Sequence, residues 1–373
     1  MSLSTSHPGL AGADAPVTIT GVGAVSGYGW GEKRLREGLF GARSSVRMVR
    51  GFLPWTPTRP LWLSLVEDEG SGDPGRRARA LRFAAGEALA DAHDRGWRPA
   101  PGVGVIHAAE WSDDTWRQLA HDFELDGPGM CVNAGELSAV MAVLTARAWI
   151  GARLVDHVLV VCSDLSLTPE RCLNGPNESG LVVDSAPSVT CRPFQHGSVG
   201  ANPGEAVVAM VVARSSSSPY GLVLGGSAAV AERPVSSQPG DESEPRRAAL
   251  GRAITRALET SHIDPAAVAY MNAHGSGQPA SDAVEASVLD GWLPATRGLY
   301  SLKPLVGDCG AAAGAIELLA ALYGFSTGVV PAPGRVAAGH PLLLDGPTAA
   351  VDGAVVKASM GPTGECAVVI AGG

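Results

Sequence analysis

An α/β fold is what this sequence predicts, from three observations. Apolar, β-branched runs suited to buried strands alternate with segments of helical period along nearly the whole chain. Their order recurs. Helix 76–93, strand 102–107, helix 136–150 and strand 154–162 are echoed by helix 247–261, strand 268–273 and helix 311–323, so two pseudo-repeated halves are expected. The composition also suits close packing of elements: 45% hydrophobic, 17% charged, 5% aromatic, with 48 glycines. At 373 residues the chain is long enough for a large core shared by two similar halves.

Taken in order, residues 1–16 are rich in Ser, Gly, Ala and Pro and lack the basic flank and apolar centre of a signal peptide, so a disordered tail is expected. Residues 17–23, Val-Thr-Ile-Thr-Gly-Val-Gly, read as a buried strand. The glycines that follow lack the spacing of a phosphate-binding turn, and no acidic residue stands at the right distance, which argues against a dinucleotide. Residues 30–40 form a short helix closed by Gly41. Residues 46–75, with Pro54, Pro57, Pro60 and Pro74, read as irregular. Helix 76–93 carries Ala80, Phe83, Ala84, Ala88 and Leu89 on one face. Strand 102–107 leads to an acidic, polar stretch, 108–126, with a helical centre. A small-residue helix, 136–150, and strands 154–162 and 206–213 follow.

The serine run 215–218 ending at Pro219 is the expected linker, dividing the chain into halves 17–214 and 220–373. The second half opens with a strand from Gly221 and a Pro/Ser/Glu-rich surface loop over 232–247. Helix 247–261 leads to the strand that ends at His274. A second small-residue helix, 311–323, and strands near Val329, over 349–357 and over 367–371 close the chain.

Candidate chemistry is densest over 270–285. An apolar strand delivers His274 into a turn punctuated by Gly275 and Gly277, where positive φ is available, and a helix starts near Ser281. Loops at strand ends are where ligands bind in α/β proteins. The net charge of −9 argues against nucleic acid or an anionic membrane as partner. Cys131, Cys162, Cys172, Cys191, Cys309 and Cys366 have neither metal-type nor disulfide-framework spacing, so reduced thiols, no metal and a cytoplasmic location are expected. No uninterrupted apolar run is long enough to cross a bilayer.

Four segments, in order, resemble the β-ketoacyl synthases of the thiolase fold, over nearly the whole length from Val17 to Gly373. Residues 17–26 with 38–45 are similar to the family's opening strand and the turn after its first helix. Arg192-Pro193-Phe194 followed by Gly204-Glu205-Ala206 resembles a second signature. Asn272-Ala273-His274-Gly275-Ser276-Gly277-Gln278-Pro279, continued by Asp282 and Glu285, resembles the family's histidine turn. Ser301-Leu302-Lys303-Pro304-Leu305-Val306-Gly307 and Ala312-Ala313-Gly314-Ala315-Ile316-Glu317 resemble its lysine segment. The resemblance implies a five-layered αβαβα arrangement and no cofactor. Its site would use a nucleophilic cysteine at a helix N-terminus with two histidines that stabilise an enolate.

The departures bear on function. The resemblance places Glu136 at the nucleophile position and Asp308 where the second histidine stands. It retains His274, Lys303 and Glu317. The glycine turn Gly361-Pro362-Thr363-Gly364 has no aromatic residue where the family carries a gating phenylalanine. Cys131, five positions before Glu136 in an expected buried strand, and Cys309, in a turn, read as inert small hydrophobes. With Glu136 at a helix N-terminus, an ordered ion network with Lys303, Asp308 and a charge-paired His274 is expected, and breaking it should cost on the order of 3–5 kcal/mol.

Only about 25 residues run from the start of the 102–107 strand to Gly127-Pro128, a shortened segment by the family's pattern. Together these features resemble the chain-length-factor, or ketosynthase-β, branch of type II polyketide synthases. That implies a heterodimer with an active ketosynthase, with acyl carrier protein met mainly through the partner. The basic groups Arg76-Arg77-Arg79 and Arg246-Arg247 read as solvated helix flanks rather than docking sites. The alternative is a catalytic homologue using His274 with Glu136 for decarboxylation, dehydration or cyclisation of a carrier-bound acyl chain.

Overall fold

In this computed structural model, residues 15–56, 58–67, 75–111, 114–174, 181–232 and 243–373 are described. The strands are β1 (Val17–Ser26), β2 (Gly29–Trp30), β3 (Arg47–Val49), β4 (Leu61–Leu63), β5 (Gly104–Ala109), β6 (Gly129–Val132), β7 (His157–Asp164), β8 (Ala206–Ala213), β9 (Gly221–Val230), β10 (Val268–Asn272), β11 (Gly298–Tyr300), β12 (Val329–Val330), β13 (Thr348–Ala349), β14 (Ala354–Met360) and β15 (Glu365–Gly372). The helices are α1 (Glu32–Phe40), α2 (Arg76–Asp94), α3 (Thr115–Asp122), α4 (Ser138–Gly151), α5 (Pro169–Asn174), α6 (Pro187–Thr190), α7 (Ser243–Ser261), α8 (Pro279–Trp292), α9 (Lys303–Val306) and α10 (Ala313–Thr327).

The internal echo becomes a topological repeat. One end of the main sheet runs β6-β5-β7-β8-β1, and the other runs β11-β10-β14-β15-β9. In both, when the five strands of that run are numbered in chain order, they are arranged third, second, fourth, fifth, first. The second strand pairs in parallel with its two neighbours, and the remaining pairs are antiparallel. A short antiparallel match of Val17–Ile19 on β1 with Gly221–Val223 on β9 joins the two into one sheet. Strands such as β1, β7 and β8 are covered on both faces, which is why they read as continuous apolar runs rather than alternating ones.

Helices α4 and α10 lie between the halves. Both are rich in small residues, and α10 is buried from Ala313 through Gly324. They share a central core with the inner faces of both sheet halves. A second core lies under α2 on the outer face of the first half, and a third lies under α7 and α8 on the second. The layering is therefore helix, sheet, helix, sheet, helix. Gly21 and Gly23 are explained by this packing: the carbonyl oxygens of Ala88 and Ala84 on α2 occupy the space a Cβ would need.

Several expectations change. The irregular 46–75 stretch contains an antiparallel β3–β4 pair. The loop expected over 232–247 has residues 233–242 outside the described residues, while α7 already begins at Ser243, two residues before Pro245. Proline is compatible with a first helical turn, and that reading missed it. The strand of Cys131 is half-buried at the sheet edge, not in the interior. Residues 1–14, most of the expected tail, lie outside the described residues. The 310–327 segment is long and apolar enough to cross a bilayer by length and composition, but 78% of it is buried inside the protein as the central helix.

Candidate active site

β10 carries the histidine turn to the C-terminal end of its sheet half. The Asn272 amide donates to the Glu317 carbonyl on α10 at 2.7 Å, fixing the strand end against the central helix. Two acids one turn apart on α8 then hold the turn by its backbone. His274 N and Gly275 N donate to the Glu285 carboxylate at 2.8 and 2.7 Å. Gly277 N and Phe194 N donate to Asp282 at 3.1 and 2.9 Å. Gly275 and Gly277 have φ of 49° and 75°, the left-handed conformations their residue type predicts. Burial raises Asp282 to about 7 and Glu285 to about 8, against the backbone N–H groups that pull the other way. Burial first, then the charge of Lys303, holds the buried His274 imidazole well below its usual pKa. His274 is thus neutral, and the expected charge pairing is not formed: the nearby ammonium disfavours a second cation.

Lys303 opens the short helix α9. Its side chain is fully buried, with Nζ 3.1 Å from Asp308 Oδ1 and 3.9 Å from Glu136 Oε2. Asp308 is fixed through its backbone: its N–H donates to Asn202 O, and its carbonyl accepts from Gly204 N, both at 2.7 Å. Its carboxylate also accepts from Gly310 N at 3.1 Å. Glu136 lies on the one-turn 3-10 segment Gly135–Leu137 that precedes α4. Ser138 closes that turn by donating to Gly135 O and accepting from Ala134 N.

The two acids differ in charge. Burial, and then the charge of Asp308, push Glu136 well above the usual carboxylate range. Burial works against Asp308 too, but the Lys303 ammonium overcomes it and holds Asp308 below its usual pKa. Burial and the neighbouring Asp308 thus favour the protonated form at Glu136, where a carboxylate at a helix end was expected. The nearer acid has taken the lysine. The Glu136 side chain is 25% exposed, yet Oε2 itself is buried without a hydrogen-bond partner.

Glu317, which the sequence groups with these residues, pairs instead with Lys357 on β14. The two side chains are 2.8 Å apart and essentially buried. Lys357 also donates to Ala358 O and Ser359 Oγ. Sequence reasoning missed this lysine. The signal was its presence in the middle of the apolar strand Ala-Val-Val-Lys-Ala-Ser-Met.

A second polar group, also missed, sits beside this centre at the ends of β5 and β7. There Glu110, Trp111, Asp164, Ser166 and Arg171 line a cleft of about 690 Å³. Arg171 bonds Glu110 and lies 3.7 Å from Asp164. Burial raises Asp164 to about 6, against the opposing charge of Arg171. Neither considered cysteine enters the centre as a nucleophile. The Cys131 Sγ donates to Trp111 O at the sheet edge. Cys309 is buried, its Sγ donates to Val306 O, and burial followed by the charge of Asp308 holds its thiol well above the usual value. No metal-type cluster occurs among the described residues.

Arg76 is no solvated flank: it pairs at 2.6 Å with Glu205, which is wholly buried. The glycine turn near the C-terminus is a tight corner in which Gly361 N bonds Glu365 O.

Comparison with known proteins accords with this architecture. Residues 117–218 match a family model described as beta-ketoacyl synthase, N-terminal domain, and residues 229–335 match beta-ketoacyl synthase, C-terminal domain. A hybrid PKS-NRPS synthetase from Botryobasidium botryosum is 30% identical over 223 residues, covering 55% of this chain and 12% of that protein. A highly reducing polyketide synthase from Glarea lozoyensis is 25% identical over 221 residues, covering 57% of this chain and 8% of that protein. The chain thus spans about a tenth of the length of these curated relatives.

Among solved structures, a ketosynthase in complex with its chain length factor from Xenorhabdus doucetiae aligns at TM-score 0.80 and 20% identity, covering 98% of this chain and 99% of that one. A ketosynthase from module 6 of the bacillaene synthase of Bacillus subtilis aligns at 0.78 and 17%, covering 95% and 71%. At these identities the structural likeness speaks to the thiolase-like fold alone. With both domain matches in chain order on that fold, this chain belongs to the β-ketoacyl synthase family.

Proposed function

We propose that this chain is a non-condensing, chain-length-factor-like subunit of a cytoplasmic polyketide synthase, and that it pairs with an active ketosynthase to shape an acyl tunnel. The turn between β6 and α4 carries the idea. No cysteine occurs from Asn133 through Trp149, so wherever along that turn the family nucleophile falls, a thiolate is missing. A carboxylate at Asp308, bound to Lys303, is a poor neighbour for a developing enolate. Carrier protein would be met mainly through the partner.

The sheet edge supports a partner. Among the described residues β6 pairs only with β5, its residues are half-buried, and Trp111 beside it is 63% exposed. An open, largely apolar edge of this kind is normally covered. Co-expression with a ketosynthase that has an intact cysteine in this turn should yield a stoichiometric complex. A stable monomer that ignores such ketosynthases would overturn the proposal.

A catalytic role for His274 with Glu136 has one observation in its favour: the Glu136 side chain, whose carboxyl burial and Asp308 push above the usual range, is partly open to solvent. It predicts carbon dioxide release from malonyl carrier protein by this chain alone, lost in His274→Ala.

A further inference from the structure

We propose that Lys357 is the positioning residue that apportions charge in this pocket: by holding Glu317 it leaves Lys303 to Asp308, and the acids Glu136 and Asp308 then share a single proton. Two buried lysines face three acids here. The distances divide them into a 2.8 Å Glu317–Lys357 pair and a 3.1 Å Asp308–Lys303 pair, with Glu136 outside at 3.9 Å. A third negative charge in this space would have no counter-ion, and an unpaired buried charge is strongly disfavoured. One proton on the Glu136–Asp308 pair restores balance, and it belongs to the pair as a unit.

Groups from the other surrounding elements do not supply the missing charge. His274 is neutral. The Cys309 thiol is pushed up by burial. Arg171 on α5 is engaged by Glu110 and by Asp164 at the end of β7. Glu317 is felt at Lys303, so the two ion pairs are electrically linked. If the pocket is the acyl site proposed above, on which this consequence rests, it meets a carbonyl-bearing chain with a neutral acid rather than a carboxylate.

The test is infrared titration of the protonated-carboxyl C=O stretch, taken as the difference between the chain and its Glu136→Gln variant, from about pH 5 to about pH 10. The unaltered chain should show this band at neutral pH. Glu317→Gln leaves Lys357 uncompensated and should move its midpoint down. Lys357→Met leaves Glu317 uncompensated and should move it up. Each shift should be about one pH unit or more, a tenfold change in proton affinity. The double variant, with both charges removed, should return the midpoint to its original place.

A merely structural lysine would not give opposite shifts that cancel. Absence of the band at neutral pH, or a midpoint unmoved in Glu317→Gln, overturns the proposal. The isosteric Glu317→Gln and the neutral double variant keep it decidable should Lys357→Met alone fail to fold. Because the purified chain is titrated, this outcome is independent of whether a ketosynthase partner binds.

Discussion

Asp308→Ala should be far more damaging than Glu136→Ala, although both residues face the same lysine. Lys303 is fully buried and 3.1 Å from Asp308. At an effective dielectric of about 20, that attraction is about 5 kcal/mol before desolvation, and stripping one member from a buried pair costs about 3–5 kcal/mol. Glu136, 3.9 Å away, can lose its proton and take over part of the pairing, so a loss near the lower end, about 3 kcal/mol, is expected. Glu136→Ala leaves the Asp308–Lys303 pair standing and removes only a neutral carboxyl, a cost of about 1 kcal/mol. The double variant should cost more than the sum, because the substitute partner is gone as well, by about 1–3 kcal/mol of coupling. Urea unfolding of the four proteins at neutral pH, with a shared m-value, measures this cycle. Equal losses from the two single variants, or strict additivity, would refute the division of charge described above.

The remaining predictions concern other buried groups. Asp164, Asp282 and Glu285 are raised to about 6, about 7 and about 8, so the folded chain keeps protons that the unfolded chain releases above about pH 4. The stability these groups contribute should therefore be fully present below about pH 4, decline as pH rises and be lost once pH passes about 8, and Glu285→Gln should flatten the upper part of a Tm-against-pH curve. Arg76→Met should cost about 3–5 kcal/mol by isolating buried Glu205, with partial recovery on adding Glu205→Gln, as read by thermal or urea unfolding. Brief alkylation of the native chain should modify one thiol of six, Cys131, since the other five are buried, and a bound ketosynthase should protect it, as read by peptide mass mapping.

The fold was legible because its determinants are local and repeated. Continuous apolar strands, two small-residue helices and a shared element order announced two layered halves before any contact was known. The histidine turn was legible for a related reason: Gly275, Gly277, Asp282 and Glu285 all act within one loop and the first turns of α8. Charge states were not legible. Whether Glu136 is ionised depends on a difference of less than 1 Å between two distances to Lys303, set by how α4 and the turn after α9 pack. Lys357 escaped notice because its partner, Glu317, is 40 residues away in sequence and meets it only across the sheet–helix interface. Arg76 looked like surface charge because Glu205 approaches it from another element.

Whether this chain ever becomes acylated tests the central proposal most directly. The chain and an intact ketosynthase would be incubated together with acyl carrier protein charged with an acyl thioester, and each protein's intact mass measured. The mass of this chain should stay unchanged while the ketosynthase gains the acyl group. An acyl adduct on this chain, at any residue of the Asn133 to Ser138 turn or on a cysteine, would contradict the account.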